Sequence, residues 1–289
     1  MCVRLSFYRE DYIKKLLLNP PDIPEINGKI KSIKYIELNY PSQWEKLDII
    51  PLSCFHIGSP EFNEDKLRGY IKWVSERENR RAWIIGDVFD AQLTTSKGNM
   101  HEQVLNLRDA KLKARELLKP IVSHIDIVIP GNHDNYCFNE TSNDIMLDLC
   151  IYLGIEEKYH FGDYAGVIRF GKNHGKNKPT VYTFYTSHGT GGARTQGAKM
   201  NKLIAMSDIV EDCDLYLMAH VHDCLVAKLE PFYIDSRNGQ LKQTKQTFAS
   251  SSSWLDYGGY ALEKKYRPSK TGSPRVRLYG NRKDIHVSI

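Results

Sequence analysis

The strongest constraint on the fold is a set of five short apolar runs, each followed closely by cysteine, histidine, aspartate or asparagine. In one of them, residues 125–129, the run stops at a Pro-Gly pair that precedes Asn132, His133 and Asp134. A short apolar run bounded by turn residues predicts a buried strand. In open α/β sheets, ligands bind beyond the carboxyl ends of the strands. We therefore expect these polar residues on strand-end loops, although an ordinary polar turn would explain any one of them alone.

Helical spacing of apolar residues alternates with these runs along most of the chain. This alternation is typical of the α/β class. Predicted helices cover residues 12–18, 63–77, 101–118, 143–153 and 195–207. Predicted strands cover residues 29–38, 47–53, 82–85, 125–129, 166–170, 180–186, 214–218, 224–234, 243–250, 275–278 and 285–289. We expect a single domain over 1–289, with an N-terminal extension (1–45), a motif-bearing core (46–225) and basic C-terminal strands (264–289).

Composition excludes several classes of protein. The chain has 289 residues with 41% hydrophobic and 26% charged residues, which is ordinary for a folded globular protein. No apolar run approaches the roughly 20 residues that span a bilayer, and residues 1–10 lack the apolar core of a signal peptide. The six cysteines form no CxxC pair, so we expect mostly free thiols. These features predict a cytoplasmic protein with no membrane partner.

The positive charge is concentrated near the C-terminus. The net charge is +5, and no acidic residue interrupts the stretch from 264 to 283. A polyanion such as nucleic acid is one partner that this pattern indicates. Solvated strands protected by basic side chains explain it equally well. The eight basic residues are Lys264, Lys265, Arg267, Lys270, Arg275, Arg277, Arg282 and Lys283.

The polar residues at the five strand ends have the chemistry of metal ligands. In an extended segment, residues two apart point to the same side, so Cys54 with His56 and His220 with His222 can each present two donors together. Oxygen donors mixed with imidazoles suit Mn²⁺, Fe or Zn²⁺ better than Ca²⁺. The donors are too many for one tetrahedral ion, so we expect two divalent transition metal ions. The residues are Cys54, His56, Asp87, Asp90, Asn132, His133, His188, His220 and His222.

The order of these motifs resembles that of the calcineurin-like metallophosphoesterase family. The motifs are Cys54-x-His56, Gly86-Asp87-x-x-Asp90, Gly131-Asn132-His133-Asp134, Ser187-His188-Gly189 and Ala219-His220-x-His222. The resemblance implies a four-layer αββα sandwich of two mixed β-sheets flanked by helices. It also implies a dinuclear metal-dependent phosphoester hydrolase, in which a metal-activated hydroxide attacks the phosphorus atom.

The resemblance also implies a role for each residue of the motifs. His56, Asp87 and His222 would hold one metal ion, and Asp87 would bridge to a second. His133 would contact the phosphate and protonate the leaving oxygen, with Asp90 orienting its imidazole. We expect Asp134 to brace the loop. The ligands of the second ion would be Asn132, His188 and His220.

Two positions depart from the family pattern. Ala219 replaces the usual glycine, which is a mild change. Cys54 stands where the family usually has aspartate. A thiolate binds Zn²⁺ or Fe well and Mg²⁺ poorly. We therefore expect Cys54 to ligate the first ion and to bias it toward Zn or Fe, the alternative being a small buried residue beside a weak site.

The motifs leave the phosphoester substrate open. We expect the loops at 91–100, 135–143 and 189–198 to set selectivity. Glycines around 189–192 allow backbone N–H groups near an anion, and Arg194 is a candidate phosphate-binding residue, although a surface arginine in a flexible turn is as good an explanation. The basic C-terminal stretch favours a phosphodiesterase or nuclease acting on nucleic acid or nucleotides. The alternatives are a phosphomonoesterase for protein or small-molecule phosphate, and a non-catalytic binding scaffold.

Overall fold

Two mixed β-sheets form the centre of the protein in a computed structural model that describes residues 32–93, 102–173 and 178–289. The predicted helix at 12–18 and most of the predicted loop at 91–100 lie outside these residues. The first sheet has five strands, in the spatial order β13 (Ile285–Ser288), β12 (Arg275–Tyr279), β2 (Lys46–Leu52), β3 (Arg80–Ile85) and β4 (Ile125–Ile129). Strands β2, β3 and β4 are parallel, so their carboxyl ends meet at one edge.

The second sheet has six strands, in the order β1 (Ile33–Asn39), β5 (Asp163–Phe170), β6 (Thr180–Ser187), β7 (Leu215–Met218), β11 (Gln246–Ser250) and β8 (Leu225–Leu229). Strands β6, β7 and β11 are parallel to one another. The edge strand β1 comes from the stretch expected as an N-terminal extension, and it pairs with β5. A separate antiparallel pair consists of β9 (Phe232–Asp235) and β10 (Gln240–Gln243).

Alternating side chains of the two sheets meet in a central core. Leu47 and Ile49 of β2 and Trp83 of β3 pack in one cluster with Phe184 of β6 and Leu217 of β7. The ring centroids of Trp83 and Phe184 are 4.7 Å apart, directly across this interface. The period-2 alternation of strands places the neighbouring residues, such as Ile50 and Ile84, on the opposite face.

Helices cover both outer faces. The helices are α1 (Glu64–Ser75), α2 (Leu107–Leu118), α3 (Asn132–Thr141), α4 (Ile145–Leu153), α5 (Gln196–Ile204) and the short α6 (Gly259–Glu263). Apolar residues of α1, α2 and α4 bury the outer face of the five-stranded sheet. Leu203 of α5 packs with Tyr216 and Phe248 on the six-stranded sheet. The four-layer αββα arrangement expected from the sequence is therefore confirmed.

The structure differs from the sequence-based prediction in several segments, among them β10 and α6, which were not predicted. The strand predicted over 224–234 is two strands, β8 and β9, because Pro231 between them lacks the N–H that a ladder requires. Helix α2 begins at Leu107 rather than near 101, after Asn106 accepts a capping hydrogen bond from the main chain of Asp109. Most of the loop expected over 135–143 belongs to helix α3. Among the described residues, no helix has the length and apolar character needed to cross a membrane.

Candidate metal centre

Main-chain hydrogen bonds beyond the strand ends bring the metal-type residues together. The loops after β2 and β3 continue the pairing of their strands, through Cys54 N–H to Gly86 O (2.9 Å) and His56 N–H to Asp87 O (3.1 Å). The loop after β6 is tied to the other sheet by His188, whose Nδ1 donates to the carbonyl of Ile85 at 2.7 Å. The sandwich thus assembles one site from both of its sheets.

Two glycines allow the loops after β3 and β4 to touch. A Cβ at Gly131 would lie 2.1 Å from Asp87 Oδ1, and a Cβ at Gly86 would lie 2.4 Å from the Gly131 nitrogen. Gly86 also has φ +75°, in the left-handed region. Asp134 closes the contact, because its carboxylate accepts hydrogen bonds from the main chains of Asp87 (2.7 Å), Gly131 (2.8 Å) and Phe89 (3.1 Å).

Backbone strain is concentrated at the same place. Among the described residues, nine non-glycine residues have positive φ, and five of them are predicted metal ligands. Left-handed backbone costs a non-glycine residue about 1 kcal/mol or more, and such residues cluster at functional sites. The five φ values are 52° at Cys54, 50° at His56, 52° at Asp87, 66° at His220 and 49° at His222.

The first donor set combines sulfur, nitrogen and oxygen. Donor atoms of Cys54, His56, Asp87 and His222 all lie within 4.8 Å of one another. The Nε2 atoms of His56 and His222 are 3.2 Å apart, and His56 Nε2 is 4.0 Å from Asp87 Oδ2. Cys54 is fully buried. A sulfur, two imidazole nitrogens and a carboxylate oxygen form a donor set that suits Zn²⁺ or Fe.

The second donor set shares Asp87 with the first. Donor atoms of Asp87, His188 and His220 lie within 4.8 Å of one another, and Asp87 Oδ2 is 3.0 Å from His188 Nε2. The other carboxylate oxygen, Oδ1, accepts the main-chain N–H of His133 at 2.8 Å. This bond fixes the carboxylate so that Oδ2 faces both sets, as a bridging ligand requires.

The amide of Asn132 completes the second set. Its side-chain oxygen lies 3.2 Å from His188 Nε2, and it also faces His220 Nδ1 and Asp87 Oδ2, all of which are lone-pair donors. Turning the amide over would place its NH₂ group among them instead. A divalent cation between these atoms would explain why the amide oxygen faces them, because each of these groups could then donate a lone pair to the ion. The residues present therefore fit two divalent ions.

The charged groups around Asp87 also favour a bound cation at this site. Burial by itself raises the pKa of this carboxyl, but the adjacent His188 and His133 hold the pKa well below its usual range. Burial likewise opposes protonation of His188, yet the Asp87 carboxylate raises the pKa of His188 to about 9. Burial and then the charge of Asp87 raise the pKa of Asp134 to about 6. A buried carboxylate that draws a proton onto its neighbour is a strong site for a metal cation.

His133 lies beside both sets and is more open to solvent than His56 and His188. Its side chain is 22% exposed, compared with 3% for His56 and 7% for His188. His133 Nδ1 donates to the main-chain carbonyl of Asp90 at 2.9 Å, which leaves Nε2 as the ring atom available to a substrate. The Asp90 carboxylate is 3.6 Å from His133 Nδ1 and 3.4 Å from His56 Nδ1.

Arg194 lies on the exposed loop that precedes α5. The contact that the structure gives its guanidinium is with Tyr266, whose ring centroid is 5.7 Å away. A role in phosphate binding stays a prediction.

Other residues near the ligands were missed by the sequence analysis. Ser269 donates its hydroxyl to the carbonyl of His222 at 2.6 Å, and Ser251 Oγ lies 2.5 Å from Ser53 Oγ, beside Cys54. Gln92 and Gln103 donate to the Asp90 carboxylate at 3.2 and 3.4 Å. The serines that follow β11 could have been found from the sequence, because they form a polar run after an apolar strand, as the predicted ligands do. No comparable signal marks Gln103.

Comparison with known proteins agrees with the geometry. The family model described as calcineurin-like phosphoesterase matches residues 47–224. A search of curated protein sequences found no match. Three similar solved structures are each 12% identical to this chain and cover 84% of it. The first two are a predicted phosphoesterase from Streptococcus pneumoniae TIGR4, aligned over 98% of its own length with a TM-score of 0.32, and a metallophosphoesterase from Sphaerobacter thermophilus, aligned over 89% with a TM-score of 0.40. The third is GAP50, the anchor in the inner membrane complex of Plasmodium, aligned over 83% with a TM-score of 0.43.

All three TM-scores are below 0.5, so the assignment depends on the family model and not on these structures. That model covers more than half of the chain, including every predicted metal ligand. The chain belongs to the calcineurin-like phosphoesterase family.

Proposed function

We propose that this metal-dependent phosphoester hydrolase is a phosphodiesterase that acts on nucleic acid or nucleotides. The observation that carries the proposal is the pair of donor sets sharing Asp87 Oδ2, with His133 beside them. Two divalent ions bound there would polarise the phosphoryl oxygens and lower the pKa of a water molecule that attacks phosphorus. The basic residues of the C-terminal stretch favour a diester within a polyanion over an isolated monoester.

The chain's own residues supply the remaining chemistry. Since Nδ1 of His133 donates to the Asp90 carbonyl, Nε2 is the ring atom that can contact a phosphate oxygen. The imidazolium form, protonated at both nitrogens, would give its Nε2 proton to the leaving oxygen and become the neutral ring with its proton on Nδ1. Asp87 keeps its carboxylate ionised at neutral pH, because the neighbouring histidines outweigh the effect of burial on its pKa. Cys54 and His56 are buried, so the first donor set is shielded from solvent on their side.

The two sets differ in their preference for metals. The first contains the thiol of Cys54, whereas the second consists of oxygen and nitrogen donors. We propose that Zn or Fe occupies the first set and that Mn or Zn occupies the second. Ligation by Cys54 is supported by the position of its side chain within the first donor set.

Stoichiometry tests the metal sites independently of the substrate. Elemental analysis after loading should find two ions per chain in the wild type. Asp87→Asn should lose both, because Asp87 belongs to both sets. His220→Ala should retain one, because it removes a ligand of the second set alone. Two tightly bound ions in Asp87→Asn would rule out the shared bridge.

Substrate class is tested with two chromogenic esters in the presence of Mn²⁺. We expect faster hydrolysis of bis(p-nitrophenyl) phosphate than of p-nitrophenyl phosphate, and cleavage of oligonucleotides. A strong preference for the monoester would favour a phosphomonoesterase instead. These assays do not test the predicted cytoplasmic location or the predicted single domain, which stay predictions.

A further inference from the structure

The basic C-terminal stretch divides into two parts that have different surroundings. The part on β12, β13 and the turn between them is engaged: Arg277 pairs with Asp48 (2.7 Å) and Lys283 pairs with Asp214 (2.8 Å). Arg282 lies 4.0 Å from the Tyr279 ring centroid. These side chains contact the protein's own acidic and aromatic groups. They therefore stabilise the edge of the sheet and are not available as a binding surface.

The other part, residues 264–270, is called the basic loop here. Lys265, Arg267 and Lys270 are exposed, and none of them forms an ion pair with the residues that the structure describes. The acidic residues in the neighbouring stretch from 255 to 263 are Asp256, which binds Asn63 at 2.9 Å, and Glu263. Lys265, Arg267 and Lys270 therefore present positive charge to solvent.

Hydrogen bonds attach the basic loop to the metal centre. Ser269, inside the loop, donates to the carbonyl of the ligand His222 at 2.6 Å. The hydroxyl of Ser252, two residues beyond β11, lies 3.4 Å from the hydroxyl of Ser269. A phosphate held by this loop would thus be adjacent to the phosphate at the ions and not on a remote surface.

Aromatic rings are interleaved with these charges. Tyr257 is 47% exposed, and its hydroxyl donates to the carbonyl of Tyr266 at 2.9 Å, so the ring is fixed against the loop. Arg194 contacts the Tyr266 ring and so extends the basic surface to the loop that follows His188. Positive groups that follow a phosphate backbone, together with rings on which bases stack, are the features that bind single-stranded nucleic acid.

We infer that the basic loop, with Arg194 and Tyr257, binds the nucleotides that flank the scissile phosphate of a single-stranded polynucleotide. The inference rests on the proposed phosphodiesterase function and extends it from a diester bond to a multi-phosphate strand. It also separates the residues that select the substrate from those that perform the reaction, since none of Arg194, Tyr257, Arg267 and Lys270 belongs to a donor set.

Charge reversal with a matched control tests the loop. The test variant is Arg267→Glu with Lys270→Glu. The control is Arg237→Glu with Lys245→Glu, two exposed residues. Lys245 precedes β11, whose opposite end leads to the serines near His222, so Lys245 lies at the far end of that sheet. Arg237 lies in the turn of the separate β9–β10 pair. Both variants change the net charge equally, so a general electrostatic effect would appear in both.

Binding and turnover are both measured on the metal-loaded protein. Fluorescence anisotropy with labelled dT12, made with phosphorothioate linkages to slow its cleavage, reports binding, and bis(p-nitrophenyl) phosphate reports the reaction. We expect the test variant to bind dT12 at least tenfold more weakly, with the slope of log K against log salt reduced by about 1.4 for two lost phosphate contacts. Its turnover of the small diester should equal that of the wild type, and the control should match the wild type in both assays.

The ring of Tyr257 supplies a second test. Tyr257→Ala should weaken dT12 binding by about tenfold, whereas Tyr257→Phe, which keeps the ring, should restore most of it. An abasic strand of equal charge should not distinguish Tyr257→Ala from the wild type. Equal losses on both strands would point to a general polyanion site and overturn the assignment of a base-stacking surface.

The outcomes separate this inference from the proposed function. If bis(p-nitrophenyl) phosphate is hydrolysed but dT12 neither binds nor responds to the loop variant, the inference fails and the phosphodiesterase proposal stands. Binding of phosphatidylserine vesicles without binding of dT12 would also overturn it. If no ester is hydrolysed, the proposed function fails, and the anisotropy measurement still decides whether the loop binds a strand.

Discussion

The main-chain carbonyl of Asp90 accepts the Nδ1 proton of His133 at 2.9 Å, whereas the carboxylate of Asp90 lies slightly nearer to His56 Nδ1 (3.4 Å) than to His133 (3.6 Å). The residue therefore has two separable functions. Its backbone fixes the tautomer of His133, and we expect its side chain, which lies within ion-pair distance of His56 Nδ1, to support the proposed ligand His56. A carboxylate that accepts from a ligating histidine increases the basicity of that ligand.

This division predicts different effects for two substitutions. Asp90→Asn keeps the carbonyl, so we expect it to weaken metal binding by about 10–100-fold. His133→Asn should leave metal content unchanged and lower kcat by about 10²–10⁴-fold through loss of the proton donor. Calorimetric titration with Zn²⁺ measures the metal affinity of Asp90→Asn, and single-turnover rates measure the loss of activity in His133→Asn. Normal metal affinity in Asp90→Asn would contradict the role given to its carboxylate.

Replacing Cys54 should change which metal binds. Cys54→Ser removes the only sulfur of the first donor set, so we expect one Zn or Fe ion to be lost while the second set stays occupied. Cys54→Asp should restore two ions and shift the preference toward Mn²⁺. Elemental analysis after competitive loading with Zn²⁺ and Mn²⁺ measures both effects. Cys213→Ser, at another buried thiol outside the site, is the control.

A methyl group at Gly131 should separate the two loops that it joins. The Cβ of Gly131→Ala would lie 2.1 Å from Asp87 Oδ1, so the bridging carboxylate must move. We expect loss of bound metal and destabilisation of about 1–3 kcal/mol. Gly69→Ala, in helix α1 with no atom near its Cβ, should instead stabilise the fold by about 0.5–1 kcal/mol. Urea unfolding of both variants provides the comparison.

A buried cluster far from the metals should affect stability alone. Asp126 accepts from the Tyr40 hydroxyl at 2.6 Å and from Arg81 Nε at 3.0 Å. The side chains of Arg81 and Asp126 are only 15% and 6% exposed. Asp126→Ala leaves the guanidinium without its partner, so we expect a loss of about 3 kcal/mol with unchanged kcat. Glu37→Gln, at the exposed pair with Arg169, should have no measurable effect.

The candidate metal ligands could be proposed from sequence because each lies near a strand end, and strand ends are visible as apolar runs that stop. The structure brings together the donors that the motif spacing grouped, and it confirms the layered fold. Contacts made by the backbone could not be predicted in this way. The bond from His133 to the Asp90 carbonyl is one example, because its acceptor is present in every residue.

Other errors have equally physical causes. Residues 135–141 read as a polar loop, since their side chains lack a clear apolar face, yet they continue the helix that begins at Asn132. The basic C-terminal stretch looked uniform, because a sequence does not reveal that Arg277 and Lys283 meet acids from distant segments. The contact between Ser269 and His222 joins residues that are 47 positions apart.

The left-handed backbone at five of the predicted ligands affects how variants of this protein should be judged. Glycine at His222 or Cys54 would relax the local chain and remove a donor at the same moment. Heat resistance of the metal-free protein and catalytic competence are thus opposed at these positions. A screen that selects for thermal stability in a chelating buffer would enrich variants that have lost a metal donor. The most heat-stable of them would be the least active phosphoesterases.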